Sequence, residues 1–199
     1  MTARWPRSRT SGRAAGARPD PTATPLGHDR GMTNLNDLLE QEPDLTARAV
    51  AILTATTNAV LATIRADGSP RVSGIDPFVV DGELCIGSMD GARKAQDLAR
   101  DPRMALHAIP WESRRTKEGA ADPGDADAKL TGRAMPVTDP DDQAMVLRWF
   151  KDERGFEPPP GGELFTIDIE SLVVVSVDGE ELVIDRWTAA DGRRTVRRS

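Results

Sequence analysis

Between Ala59 and Ile109, short apolar runs alternate with turn signals, and no other feature of the chain constrains its fold as strongly. Val60 to Arg65 is one such run. Ala66-Asp67-Gly68-Ser69 follows, with residues that tolerate the positive φ of a tight hairpin. Arg71 to Val80 runs on to a second turn at Asp81-Gly82. Glu83 to Ser88 then alternates, with Leu84 and Ile86 on one face and Cys85 and Gly87 on the other. A short helix comes next, with Asp90 as its candidate cap and Ala95, Leu98 and Ala99 as a narrow apolar stripe that stops at Asp101-Pro102. A further strand leads to Ile109. Arg93 and Lys94 occupy the helix's first turn, where cations oppose the helix dipole. Two readings are open. Either both are solvated surface residues, or free backbone N–H groups, the dipole and two cations converge on one phosphate.

The flanking sequence extends this pattern. Asn34 to Gln41 reads as a weak helix, and Asp44 as the cap of a second helix with Leu45, Ala49, Ile52 and Leu53 on one face. Glu112 to Asp127 is charged and without period, which predicts a mobile loop. Lys129 to Val137 reads as a strand. Asp139-Pro140 starts a helix whose packed side is Met145, Val146, Trp149 and Phe150, closing at Lys151, Arg154 and Gly155. After the stiff Pro158-Pro159-Pro160-Gly161-Gly162 connector, strands are expected over Glu163 to Ile169, Leu172 to Val177 and Glu180 to Trp187. The last two join at Asp178-Gly179, and Arg193 to Arg198 adds an edge strand. About seven short strands with peripheral helices predict an α+β, mainly β fold, a closed or split antiparallel barrel. The alternative is an open sheet covered on one face by helices.

Composition narrows the function. Residues 1–31 hold six Arg, two Asp and no Lys with almost no large apolar side chains, so they read as a disordered basic leader ahead of one domain over 32–199. A net charge of −6 argues against a general nucleic-acid binder. No run is long or apolar enough to span a membrane, and a cytoplasmic protein is expected. The single cysteine, Cys85, excludes an internal disulfide and reads as a small buried hydrophobe. Of the two histidines, His28 falls in the leader and His107 on a strand among apolar residues, so no metal site is expected. A serine triad lacks a base, and no Walker-type loop is present. Chemistry borrowed from a cofactor fits so bare a complement.

Taken together, LATIRADGSPRVS, VDGELCIGS, GARKAQDLARDPRMAL, the Ile109-Pro110-Trp111 step and AKLTGRA resemble the pyridoxamine 5′-phosphate oxidase-like family of flavin-binding split barrels, over roughly residues 45–135. The resemblance implies that Arg93 and Lys94 bind the flavin phosphate, with Ser88 at the end of the strand leading to them. It implies that Arg71, Val72, Ser73, Gly74 and Ile75 form the strand along the flavin ring, with Ser73 hydrogen-bonding its polar edge and Gly74 leaving room for close approach. For Ser73 a solvated strand position is the competing reading, and Arg71 reads as a surface residue.

The cofactor implied is FMN, or alternatively the deazaflavin coenzyme, held between the subunits of a homodimer. True pyridoxamine phosphate oxidases carry an Arg and a Lys where Ser73 and Phe78 stand here, and an Arg-Gln pair where Ala126 and Asp127 stand. Their C-terminal Arg-x-His element has no counterpart, so vitamin B6 oxidation is not expected. The LVIDRW ending and Arg-rich tail resemble the actinobacterial-type branch. The expected function is hydride transfer between a bound flavin and a small organic substrate, with no catalytic side chain assigned. A non-catalytic flavin-binding or storage protein is one alternative, and a plain interaction domain is the other.

Overall fold

The first hairpin behaves as its turn residues dictate. β1 (Ala59–Ile64) and β2 (Pro70–Ile75) pair antiparallel from Ala59 opposite Ile75 to Ile64 opposite Pro70. Gly68 takes φ +82° in the turn, and the Asp67 carboxylate accepts both the N–H and the hydroxyl of Ser69. The computed structural model describes residues 33–55, 59–108 and 126–199. The leader over 1–31, the Ile109-Pro110-Trp111 step and nearly all of the loop expected over 112–127 lie outside the described residues.

The run expected from Arg71 to Val80 is two strands. Pro77 has no N–H for a ladder. After Asp76-Pro77 the chain crosses to the far end of the sheet as β3 (Phe78–Val80), which turns through Asp81 and Gly82, both at positive φ, into β4 (Glu83–Ser88). The sheet then gains β5 (Arg103–Ala108), β6 (Asp127–Pro136) and β7 (Glu163–Asp178), in the order β2-β1-β5-β6-β7-β4-β3, with every pairing antiparallel.

β7 is one strand where the sequence suggests two. A bulge opposite Thr131-Gly132 absorbs Glu170, so pairing passes from Ser171 to Ile169 without a break in the strand. Only glycine fits there, because a Cβ on Gly132 would sit 2.0 Å from the Asp168 carbonyl oxygen. While β6 runs along one edge of β7, the other edge is shared. Its first part pairs with β4, and its second part with β8 (Glu181–Thr188), which carries β9 (Gly192–Arg198). The sheet therefore forks and does not close.

The helices cover what the sheet leaves bare. α1 (Leu35–Gln41) has a capping box formed by Asn34 and Asp37. α2 (Pro43–Thr54) starts one residue before the predicted cap, with proline in its first turn, and buries the predicted Leu45, Ala49, Ile52 and Leu53. These side chains meet Leu61, Leu106, Leu130, Ile167 and Leu172 of the sheet in the main core. α4 (Pro140–Trp149), capped by Asp139, continues through a π-helical turn to Gly155 at φ +67°. It carries Val146 onto Phe78, Val80 and Cys85, and Trp149 stacks on Phe78 at 5.1 Å. Both faces of β4 are thus covered, Leu84 and Ile86 by the main core and Cys85 by this smaller one.

The opposite sheet face is less protected. Register puts Val60 and Gly74 side by side, then Val72 and Ala62, and farther across Val173 beside Arg186 and Ile184 beside Val196. Val72 is 70 % exposed, Val60 43 % and Val196 46 %.

Candidate functional site

α3 (Arg93–Arg100) begins later than Asp90 predicts. Gly91 takes φ +67° and Ala92 is the cap, extended and without a capping side chain. The helix therefore opens on Arg93 and Lys94 with no acidic residue in its first turn. Of the expected stripe, Ala95 and Leu98 are buried and Ala99 is exposed, while Asp97 takes a buried place instead.

Asp97 is the anchor that pattern reading did not single out. Thr63 and Arg71 are direct cross-strand partners on the inner face of the β1–β2 hairpin, and both point at it. Thr63 Oγ1 donates to Asp97 Oδ2 at 2.9 Å, Arg71 Nε to the same oxygen at 2.5 Å, and Arg100 to Oδ1 at 3.3 Å. The Arg71 hydrogen bond, ahead of those from Thr63 and Arg100, holds the Asp97 carboxyl down at about 2 against the opposing effect of burial. Arg71 is therefore not the surface residue the sequence suggested, since its side chain is only 19 % exposed. The signal was present: Arg93, Asp97 and Arg100 are spaced i, i+4 and i+7, which places them on one helix face.

The two cations at the helix start separate. Lys94 reaches β2 and donates to the Gly74 carbonyl at 2.8 Å, in a closely packed seam with Ser88, Ile75 and Ala95, and burial pushes its amine down. Arg93 faces an open cavity of about 300 Å³, shared with Arg65, Arg71, Gln96, Asp97 and Arg100. Arg93 makes no ion pair or hydrogen bond to another described residue, so its charge is free for a ligand. Ser88 donates weakly to Glu163 Oε2 at 3.3 Å. Val72 and Ser73 make no side-chain hydrogen bond to another described residue. Nothing lies within 4 Å of where a Gly74 Cβ would stand. β2 pairs with β1 alone and so offers an apolar ledge with an open face.

The protein's other reactive groups add little. Burial, reinforced by the charge of Glu83, pushes the Cys85 thiol up to about 12, which leaves it inert as a nucleophile. His107 Nε2 lies 3.2 Å from Asp127 Oδ2. Among the described residues no group of three His, Cys, Asp or Glu is placed to hold a metal ion, and no helix is long and apolar enough to cross a membrane.

The family model for pyridoxamine 5′-phosphate oxidase matches residues 45–176, about two thirds of the chain. The chain belongs to the pyridoxamine 5′-phosphate oxidase-like family. No curated protein matches it. Among solved structures, a pyridoxamine 5′-phosphate oxidase-related, FMN-binding protein from Nostoc punctiforme is 12 % identical, covering 81 % of this chain and 97 % of that one at TM-score 0.52. PhzG from Burkholderia lata, in complex with tetrahydrophenazine-1-carboxylic acid, is 12 % identical over 92 % of this chain and 100 % of that one, TM-score 0.51. A heme-binding protein from Mycobacterium smegmatis is 22 % identical over 71 % of this chain and 56 % of that one, TM-score 0.50. At such identities these likenesses show the fold alone, and that fold is the family's flavin-binding split barrel with its sheet unclosed.

What this chain offers fits a flavin nucleotide in kind. A guanidinium with no partner among the described residues in a cationic cavity suits a phosphate, and an edge strand with an uncrowded glycine near its end suits a flat ring. Arg93, Lys94 and Arg71 would hold the phosphate end. Val72 and Gly74, on the exposed face, and the backbone of β2 would hold the ring, while Ser73 faces the inner side with Arg71.

Proposed function

We propose that the protein is a flavin-dependent oxidoreductase that binds FMN and transfers hydride to or from a small organic substrate. The observation that carries this reading is Arg93, a cation with no partner among the described residues, lining an open cavity together with Arg71 of β2. When bound, the flavin supplies two-electron redox chemistry at its ring. The chain's own side chains then need only bind, orient and shield. Arg93 meets the phosphate from the cavity, Lys94 joins it by releasing the Gly74 carbonyl, Arg71 is held in place by Asp97, and Ser73 presents a hydroxyl on the inner side of β2, the side of Arg71. The deazaflavin coenzyme is the alternative occupant, because the same cations serve its phosphate.

The purified protein is expected to be yellow, or to become so when FMN is added. Anaerobic addition of NAD(P)H or of reduced deazaflavin should bleach the bound flavin, and an added acceptor should restore its colour. A bound flavin that no reductant reduces would make this a binding or storage protein. A chain that takes up no flavin would leave the interaction-domain reading.

The same reading makes the protein a homodimer. Val60 and Val72 lie on one exposed sheet face beside Gly74, and a twofold copy would cover them and complete the cofactor's surroundings. Light scattering with size exclusion should give twice the chain mass at micromolar concentration. The double substitution Val60→Glu, Val72→Glu should give monomers and lose FMN affinity together. A wild-type monomer that binds FMN tightly would overturn the interfacial placement.

A further inference from the structure

β9 is an edge of the sheet, and no described strand pairs with its outer side. Its residues, Gly192–Arg198, run in unbroken register with β8, without proline or bulge. Such an edge presents unpaired N–H and C=O groups to any strand that fits. Here the arginines decide which strands fit. On the inner face they are neutralised. Arg193 pairs with Asp185 at 3.1 Å and Glu42 at 3.5 Å, and Arg197 with Glu181 at 2.9 Å and Asp178 at 3.0 Å. On the outer face they are not. Arg194 reaches only Asp191, at 3.9 Å with both side chains mostly exposed, and Arg198 has no ion pair among the described residues. Register sets Arg194 directly opposite Arg186 of β8, which has no such pair either, and like charges so placed oppose each other. Between Arg194 and Arg198 on the same face stands Val196, 46 % exposed.

We propose that the free edge of β9 takes an acidic strand from a partner protein, with carboxylates opposite Arg194 and Arg198 and an apolar side chain opposite Val196. The occupant is an extended segment that reads acid, any residue, apolar, any residue, acid. β8 carries that pattern itself in Glu181, Val183 and Asp185, and its two carboxylates meet Arg197 and Arg193 on the other face. A second copy of β9 does not fit, because antiparallel pairing about Val196 sets Arg194 against Arg198. The edge is available whether or not a flavin is bound.

The test is an NMR titration of the isotope-labelled full chain at low ionic strength with three capped heptapeptides. The first is threonine throughout except for glutamate at its second and sixth positions and valine at its fourth. The second has lysine for both glutamates, and the third keeps the composition of the first but sets its glutamates side by side. The first should bind at least about tenfold tighter than the second and about threefold tighter than the third. Its addition should slow hydrogen exchange at the β9 amides that β8 leaves unbonded. The double substitution Arg194→Glu, Arg198→Glu should reverse the order of the first two peptides. The wild-type comparison decides the matter even if that variant fails to fold. Arg148→Glu, the same kind of charge change on exposed α4, should leave the order intact. Equal binding of the three peptides, unchanged β9 exchange, or an equal loss in Arg148→Glu overturns the proposal. So does slow β9 exchange in the peptide-free protein that dilution relieves, since a second copy would then hold the edge.

Discussion

Replacing Arg93 and Lys94 together with alanine is expected to weaken FMN binding by about a hundredfold or more. Each cation that meets the phosphate makes a charge-assisted bond worth on the order of 1.5–3 kcal/mol, and the lower end for two of them already gives that ratio. The structure divides the expected effect unevenly. Arg93 has no partner among the described residues to give up, and it opposes the dipole of its own helix, so its loss should not weaken the fold. Lys94 holds the Gly74 carbonyl at 2.8 Å, so its loss should cost about 1 kcal/mol of stability without ligand. The single Arg93→Ala variant therefore gives the cleaner measurement. Riboflavin, which has no phosphate, should bind wild type and Arg93→Ala equally. Fluorescence titration with FMN and riboflavin checks both expectations. Wild-type FMN affinity in the double variant would falsify the phosphate assignment, and equal loss of both ligands would move the damage from the phosphate to the ring ledge.

The second large effect is expected at Asp97. Its carboxylate joins β1, β2 and α3 through Thr63, Arg71 and Arg100, and its side chain is 5 % exposed. Asp97→Asn keeps the shape but removes the charge. It leaves the largely buried Arg71 guanidinium without a counter-ion, at a cost of about 3 kcal/mol at neutral pH. The pH dependence gives a second signature. A carboxyl held near 2 in the folded protein, against an ordinary value of 3.8, stabilises the fold fully above about pH 4. That stabilisation is lost as pH falls from about 4 toward 2, because the unfolded chain takes up the proton first. Denaturant unfolding of wild type should show this acid decline, and Asp97→Asn should show a shallower one from a lower plateau. Parallel curves for the two proteins would mean that Asp97 is not the group titrating.

Comparing these residues shows where pattern reading succeeds. α2 buries Leu45, Ala49, Ile52 and Leu53 as their spacing requires, and Asp139-Pro140 starts α4 where its cap chemistry places it. The turns at Gly68 and Asp81-Gly82 fall where positive φ is cheap. Each is a local property, carried by a few neighbouring residues whose energetics hardly depend on the rest of the chain. The reason to look for an anion at Arg93 is local in the same way, because a cation in a helix's first turn opposes the helix dipole.

What the sequence left open depended on partners far along the chain. The continuity of β7 depends on Gly132, where the Asp168 carbonyl approaches too closely for any side chain as the pairing crosses its bulge, and the fork depends on β4 and β8 sharing the far edge of that strand. Arg71 reads as surface until Asp97, 26 residues later, is brought under it. Arg93 and Lys94 read as a pair, but a helix turns about 100° per residue. One therefore enters the packed seam against Gly74 and the other the open cavity with Arg65 and Arg100. Sequence alone determined the turns, most of the strands and the identity of the cations. Only the tertiary structure decided which cations are neutralised and which stay free, because that depends on through-space distances that the pairing of strands and the packing of α3 establish.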